Sequence, residues 1–171
     1  MFVKATRNSI TVASAIAMGF LGMSGANAAT QTDTFDVTAT IIASCTISAN
    51  NLAFGNYDPL AAGDLDQTTT ISVTCSNGAP YNIQLNGGSV TGNVAGRRMD
   101  HDTAPANTLD YSLFRDAGRT QNWGVTNGTD TVAGTGNGAA QVVTVYGRIT
   151  AGQTTPIIGN YTDTVTATVE Y

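Results

Sequence analysis

One lysine, one histidine, one tryptophan and two cysteines are all that the 171 residues hold of those four types. Each shortage removes a class of function. One histidine and two cysteines leave too few nitrogen and sulfur ligands for a structural zinc site. Lysine occurs only at Lys4, and twelve acidic residues face seven basic ones. A surface so poor in cations argues against nucleic acid and against anionic membranes as partners. No apolar run reaches the roughly 20 residues of a membrane-spanning helix, and long helical periodicity is missing. Charged residues make up only 11% of the chain, while Gly, Thr, Asn and Ala are abundant. That balance suits an all-β domain of short strands and many turns.

Residues 1–28 read as a secretory signal. Lys4 and Arg7 supply a positive start, Ile10 to Met23 is mostly apolar and small, and Ala26-Asn27-Ala28 fits a small-x-small cleavage site. No charged stop-transfer segment follows. Cleavage after Ala28 would leave 143 residues, the size of one domain, with five basic residues against twelve acids and a net charge of −7.

Thr34 to Ile47 stands out from the remainder. Phe35, Val37, Ala39, Ile41, Ala43, Cys45 and Ile47 are apolar, and the positions between them are polar apart from Ile42. A period of two marks a strand with one buried face. The stretch is too long for one strand: Phe35 to Ile47 would extend about 43 Å, against about 5–6 residues for a typical strand. One segment therefore serves two strands. The last strand, Tyr161 to Tyr171, alternates as cleanly, with Tyr161, Val165, Ala167, Val169 and Tyr171 on one face and Asp163 interrupting. It has nothing after it to pair with.

Cys45 and Cys75 each close an apolar alternation, Ala43-Cys45-Ile47 and Ile71-Val73-Cys75, so both point inward from neighbouring strands. In an exported chain an even count suggests a disulfide; two buried free thiols are the alternative. Between the end segments, strands are expected at Thr70–Cys75, Tyr81–Leu85, Leu109–Arg115 and Gln141–Thr150, with Trp123–Val125 as a further start. Asn77-Gly78 is a hairpin-type turn signal. Gly63–Thr69 reads as a connection and residues 89–107 as the longest irregular region. Seven or eight strands at these spacings make a β-sandwich.

Chemistry finds little purchase. Asp100-His101-Asp102 could offer a base toward Ser112, but no nucleophile elbow and no second histidine accompany it, and solvated loop residues are expected. Asp58, Asp64 and Asp66 lack the spacing of a calcium loop. Gly134 to Gly138 has no GK[ST] and no following helix, so it reads as a flexible connection rather than a phosphate loop. Arg115 and Arg119 beside Asp116 read as surface pairs. No catalytic, metal or cofactor-binding residue is assigned, and an enzyme is not expected.

The motifs in order are the alternating segment leading to Cys45, ISVTC at 71–75, YSLFRDAGRT at 111–120, VYGRI at 145–149 and GNYTDTVTATVEY at 159–171. Together they resemble the spore coat protein U family, in particular the Csu-type subunits of archaic chaperone–usher pili. The resemblance covers nearly all of the chain after residue 28. It implies an incomplete immunoglobulin-like β-sandwich that lacks its last strand and carries an N-terminal donor-strand extension. Residues 29–42 would be the donor strand and 43–171 the pilin domain. The donor would insert Phe35, Val37, Ala39 and Ile41, and the acceptor edge would include Val165, Ala167, Val169 and Tyr171. The implied partners are a periplasmic chaperone, an outer-membrane usher, and identical or related pilin subunits. The implied destination is a cell-surface pilus, reached through the periplasm and serving attachment and biofilm formation. An unpaired apolar edge is an aggregation hazard, and the chain after residue 28 has no lysine with which to guard it. Rival readings are a secreted coat protein of the same fold that does not polymerise, and a sugar-binding module or enzyme. Sortase-linked fibres need a reactive lysine, which is missing here, and type IV pilins keep their apolar N-terminal helix.

Overall fold

A computed structural model describes residues 28–171; the signal assigned to residues 1–28 lies outside them except for Ala28. The chain falls into two units that part between Ala39 and Thr40. In the first, residues 28–39 form neither helix nor strand, and Phe35 and Val37 are 87% and 84% exposed. The second unit holds nine strands: β1 (Cys45–Ala49), β2 (Leu65–Cys75), β3 (Pro80–Leu85), β4 (Arg97–His101), β5 (Thr108–Phe114), β6 (Val132–Thr135), β7 (Ala140–Ile149), β8 (Tyr161–Thr162) and β9 (Ala167–Glu170). A four-residue helix, α1 (Gly88–Thr91), and one 3-10 turn complete it. Among the described residues no helix is long and apolar enough to cross a membrane.

The strands form two sheets, β1-β2-β7-β5-β4-β8 and β6-β3-β9, and every ladder is antiparallel. The period-two pattern places the core. Ile71, Val73 and Cys75 of β2, Leu109, Tyr111 and Leu113 of β5, and Val145 and Ile149 of β7 face Tyr81, Ile83 and Leu85 of β3. Between the layers lies Trp123, fully buried, whose Nε1–H donates to the Ile83 carbonyl at 2.8 Å. Burying an indole of this size with its one donor satisfied is a large apolar contribution without a polar penalty.

Cys45 and Cys75 are directly opposite in the β1–β2 ladder and are joined by a disulfide. The two free thiols of the alternative reading do not occur. The same end is held by Ser44, whose amide donates to Ser76 Oγ and whose carbonyl accepts from Ser76 N at 2.9 Å.

Several expectations need correction. Asn77-Gly78 does make a turn, with Gly78 at φ +83°, but it carries the chain from one sheet to the other rather than closing a hairpin. Strand β2 starts at Leu65, inside the predicted connection, because polar residues there face solvent in a ladder with β7: Asp66 is opposite Arg148 and bonds to it twice, at 2.7 and 2.8 Å. Trp123–Val125 is not a strand; only a bridge between Phe114 and Asn122 forms nearby. Residues 89–107 are not irregular throughout, since β4 lies within them. There Arg97 and His101 are 1% and 6% exposed, not solvated.

Arg119 reaches Asp66 at 3.2 Å rather than Asp116. Arg115 donates to the Thr131 carbonyl, while Asp116 instead accepts from Thr120 and Gln121 to close its own turn. The glycine run is built into the fold. Gly134 lies on the Tyr81 ring and Gly136 against Cys75 and Ser76, where a Cβ would collide.

The disulfide closes a 30-residue separation. Replacing both cysteines by alanine should lower unfolding free energy by about 3–4 kcal/mol, read as a reduced denaturant midpoint. An unchanged midpoint would show that the β1–β2 hydrogen bonds alone hold this edge.

Candidate functional site

A wide opening in the domain lies between the two sheets. On one side, the chain leaving β1 makes its last ladder-like bond from Asn50 N to the Thr70 carbonyl. It then peels off, with Thr69 Oγ1 donating to the Asn50 and Asn51 carbonyls. Leu52, Phe54 and Tyr57 point inward from this wall and are half-buried. Gly147 of β7 makes this possible, because a Cβ there would strike Leu52 and Phe54. The Tyr57 hydroxyl pins the far end, donating to the Thr150 carbonyl at 3.1 Å and accepting from Gln153 N at 2.9 Å.

The opposite wall is the C-terminal segment. It does not form one strand from Tyr161 to Tyr171: β8 pairs with β4 in the large sheet, and β9 pairs with β3 in the small one. Asp163 makes the switch. Its carboxylate accepts from Ser89 N and Ser89 Oγ (both 2.8 Å), from Thr164 N at 2.7 Å and from the Tyr111 hydroxyl at 2.6 Å. Partial burial pushes the Asp163 carboxyl up, but the bonds from Tyr111, Ser89 and Thr164 outweigh it and hold the carboxyl below its usual range. Burial, then Asp163, push the Tyr111 hydroxyl far up, so it stays a donor.

Beneath this switch lies Arg97. Its guanidinium has no carboxylate bridge and instead donates to the carbonyls of Leu85, Asn86, Val94 and Trp123 at 2.7–3.3 Å. Burial pulls its pKa down, opposed by the carboxylates of Asp163 and Asp130. Four main-chain carbonyls, one at the end of β3 and three from turn and loop backbone, are thereby satisfied.

Between the walls run two cavities of about 650 and 530 Å³. They share Leu52, Ala53, Phe54, Met99 and Tyr161, so they form one continuous groove. Its floor is core: Ile71, Leu85, Tyr111, Leu113 and Val145 at one end, Leu109 and Ile149 at the other. β1 and β8 are the outer strands of the large sheet and β6 and β9 those of the small one, so each carries an edge with no strand partner among the described residues.

Of the sequence-predicted acceptor residues, Val165 and Ala167 line this groove. Val169 is packed on the core beside it, opposite Ile83, and Tyr171 is 58% exposed past the end of β9. The four predicted donor residues Phe35, Val37, Ala39 and Ile41 are all exposed. The inward wall of Leu52, Phe54 and Tyr57 was missed as part of the site. Its signal was there, since Leu52 and Phe54 keep period two beyond the strand.

His101 Nδ1 accepts from Thr103 N and Ala104 N while Nε2–H donates to the Ile158 carbonyl, so the imidazole is consumed in holding a turn. Asp64 and Asp66 both bracket Arg148, and the Asp58 carboxylate accepts from Leu60 N.

Two antiparallel sheets packed face to face with almost no helix define an all-β, immunoglobulin-like sandwich. Residues 31–168 match the Spore Coat Protein U domain, and the chain belongs to that family. Among solved structures, it is similar to one described as the CsuC–CsuE chaperone–tip adhesion subunit pre-assembly complex from archaic chaperone–usher Csu pili of Acinetobacter baumannii. Identity is 24% and the TM-score 0.57, over 77% of this chain and 41% of that one. It thus spans about two fifths of that chain's length. A second similar structure is the P pilus rod subunit PapA, at 18% identity and TM-score 0.45, covering 74% of this chain and 98% of that one. No curated protein matches the chain.

Asp163's depressed pKa fixes the sign of a pH effect. Its share of stability is complete above the unfolded pKa near 3.9 and is lost as pH falls through the lower folded value. At pH 7, Asp163→Asn should cost about 2–3 kcal/mol, the range for hydrogen bonds to a charged acceptor. Denaturant melts of both proteins should converge as pH drops below about 4. A penalty independent of pH would remove the carboxylate from the account.

Proposed function

We propose that this protein is a structural, non-enzymatic subunit of a chaperone–usher pilus that polymerises by donor-strand complementation. Residues 29–42 act as the donor strand and 43–171 as the pilin domain. The observation that carries the reading is the groove: an open slot along the Tyr161–Ala167 segment whose floor is the hydrophobic core itself. Exposed apolar surface continuous with a core is costly in water at about 25 cal/mol per Å², and an unpaired strand edge adds its own hazard. A strand with alternate apolar side chains cures both, its main chain bonding the edge and its side chains filling the slot.

The same chain carries such a strand. Phe35, Val37, Ala39 and Ile41 alternate with polar residues, and all four are exposed. The family match begins at residue 31, so it takes in this segment together with the sandwich. In this reading Phe35, Val37, Ala39 and Ile41 of one subunit enter the slot of the next. Val165 and Ala167 line that slot, and Val169 and Tyr171 extend its edge. A periplasmic chaperone holds the slot before assembly, an outer-membrane usher mediates the exchange, and the product is a surface fibre serving attachment and biofilm formation.

Surface material from the producing cell should contain filaments that resist SDS at room temperature and fall to monomers on boiling. Deleting residues 29–41 should leave a subunit that still accepts a donor but cannot supply one, so that added in trace amounts it shortens the fibres. Recovering only monomers with chaperone and usher present would sink the reading. Loss of monomer stability in the deletion would favour a self-complemented coat protein instead.

A further inference from the structure

At the Tyr57 end of the groove three large apolar side chains face solvent: Leu60 at 85%, Ile158 at 99% and Ile157 at 46% exposure. They are not on slack loops. The Asp58 carboxylate and carbonyl accept from Leu60 N and Ala61 N, closing a turn that holds Leu60 outward. The Ile158 carbonyl accepts from buried His101 at 3.2 Å, and the Ile157 carbonyl accepts from the Tyr161 hydroxyl at 2.7 Å. Pro59 and Ile158 line the same cavity, so the tips stand around one opening. Rigidly presented apolar residues grouped at the mouth of a groove mark a contact surface.

The occupant follows from the chain itself, on the donor-strand reading above. Every ladder in this domain is antiparallel, and antiparallel pairs outnumber parallel ones generally. A donor running antiparallel to β9 enters beside Ala167 and leaves beside Tyr161. Phe35 to Ile41 and Tyr161 to Ala167 span the same number of residues, so the apolar donor set matches that length of wall and Ile41 ends at Tyr161. The next residue is Ile42, the one apolar residue among the even positions of the stretch, and it is 76% exposed. Its side chain points opposite to Ile41, away from the groove floor.

Only Ile42 and Ala43 then separate the donor from Ser44, which is tied to Ser76 at the disulfide end of its own domain. The three Cα steps from Ile41 to Ser44 reach about 11 Å at most. The donating domain must therefore stand at the groove mouth of the accepting one.

We infer that Ile42 of each subunit packs on Ile158 and Leu60 of the subunit that receives its donor strand, a second apolar contact between copies of this chain that continues the groove and fixes the angle between successive domains.

The test uses the full-length chain carrying Ile42→Cys and Ile158→Cys, assembled into surface fibres and then oxidised. On boiling in SDS without reductant, the double variant should run as a ladder of covalent multimers that reductant collapses, while each single variant gives monomers. Fibres of the double variant that resist SDS at room temperature yet boil to monomers would overturn the contact and leave donor insertion standing. A wild-type chain that forms no fibres would overturn both. As a second readout, Ile158→Glu should lower the temperature at which SDS-resistant fibres dissociate, and adding Ile42→Lys to the same chain should restore it. Equal dissociation temperatures for Ile158→Glu and wild type would also contradict the contact.

Discussion

A buried amide or carbonyl must find a partner, and a strand at a sheet edge has found only half of them. In this domain an unfilled slot between the sheets is bordered by the chain leaving β1 at Ala49 and by the Tyr161–Ala167 segment leading into β9, and both strands are outermost in their sheets. The rest of the fold holds that slot open. Gly147 lets the Leu52–Phe54 segment lie on the sheet as one wall. Asp163 bends the C-terminal segment across from one sheet to the other as the second wall. Arg97 fills the polar centre beneath, satisfying carbonyls that the irregular backbone leaves over. The disulfide fastens β1 to β2 at its first residue. None of these devices closes the slot.

That design has a functional logic when the chain's own N-terminal stretch is set beside it. An internal last strand would satisfy both edges once and end the matter. On the donor-strand reading proposed above, leaving them open while carrying a matching segment elsewhere would make completion of one domain depend on another copy. Folding and association then draw on the same free energy, which is how a non-covalent fibre can rival the stability of a protein core.

How much of this could be read from the chain alone depends on whether burial and apolarity coincided. Where they did, apolar alternation marked β3 and the inner half of β2, whose Ile83, Ile71 and Val73 are buried, and the apolar runs at 109–115 and 141–150 marked β5 and β7. Where burial fell on polar groups the pattern failed. Arg97 and His101 belong to β4, but their charge and imidazole marked the segment as a solvent loop. Nothing local announces that carbonyls from Leu85 and Trp123 will converge on a guanidinium. Leu65–Thr69 failed for the converse reason, since ladder bonds and the Asp66–Arg148 pair hold a strand whose side chains are mostly polar. The split of the C-terminal segment was half visible, because Asp163 broke the alternation, though its partners Ser89 and Tyr111 are distant in sequence. The long Thr34–Ile47 stretch was legible by its excess length, and strand structure begins only at Cys45.

The central claim is that Phe35 to Ile41 complete a neighbouring sandwich. Amide hydrogen exchange on fibres of the full-length chain, resolved by peptide, tests it most directly. The account predicts that amides of Phe35–Ile41 exchange as slowly as those of β2 and β7, and that those facing the open edge of β9 are protected with them. Exchange of Phe35–Ile41 at the rate of an unstructured peptide, in fibres whose β2 and β7 are protected, would contradict it.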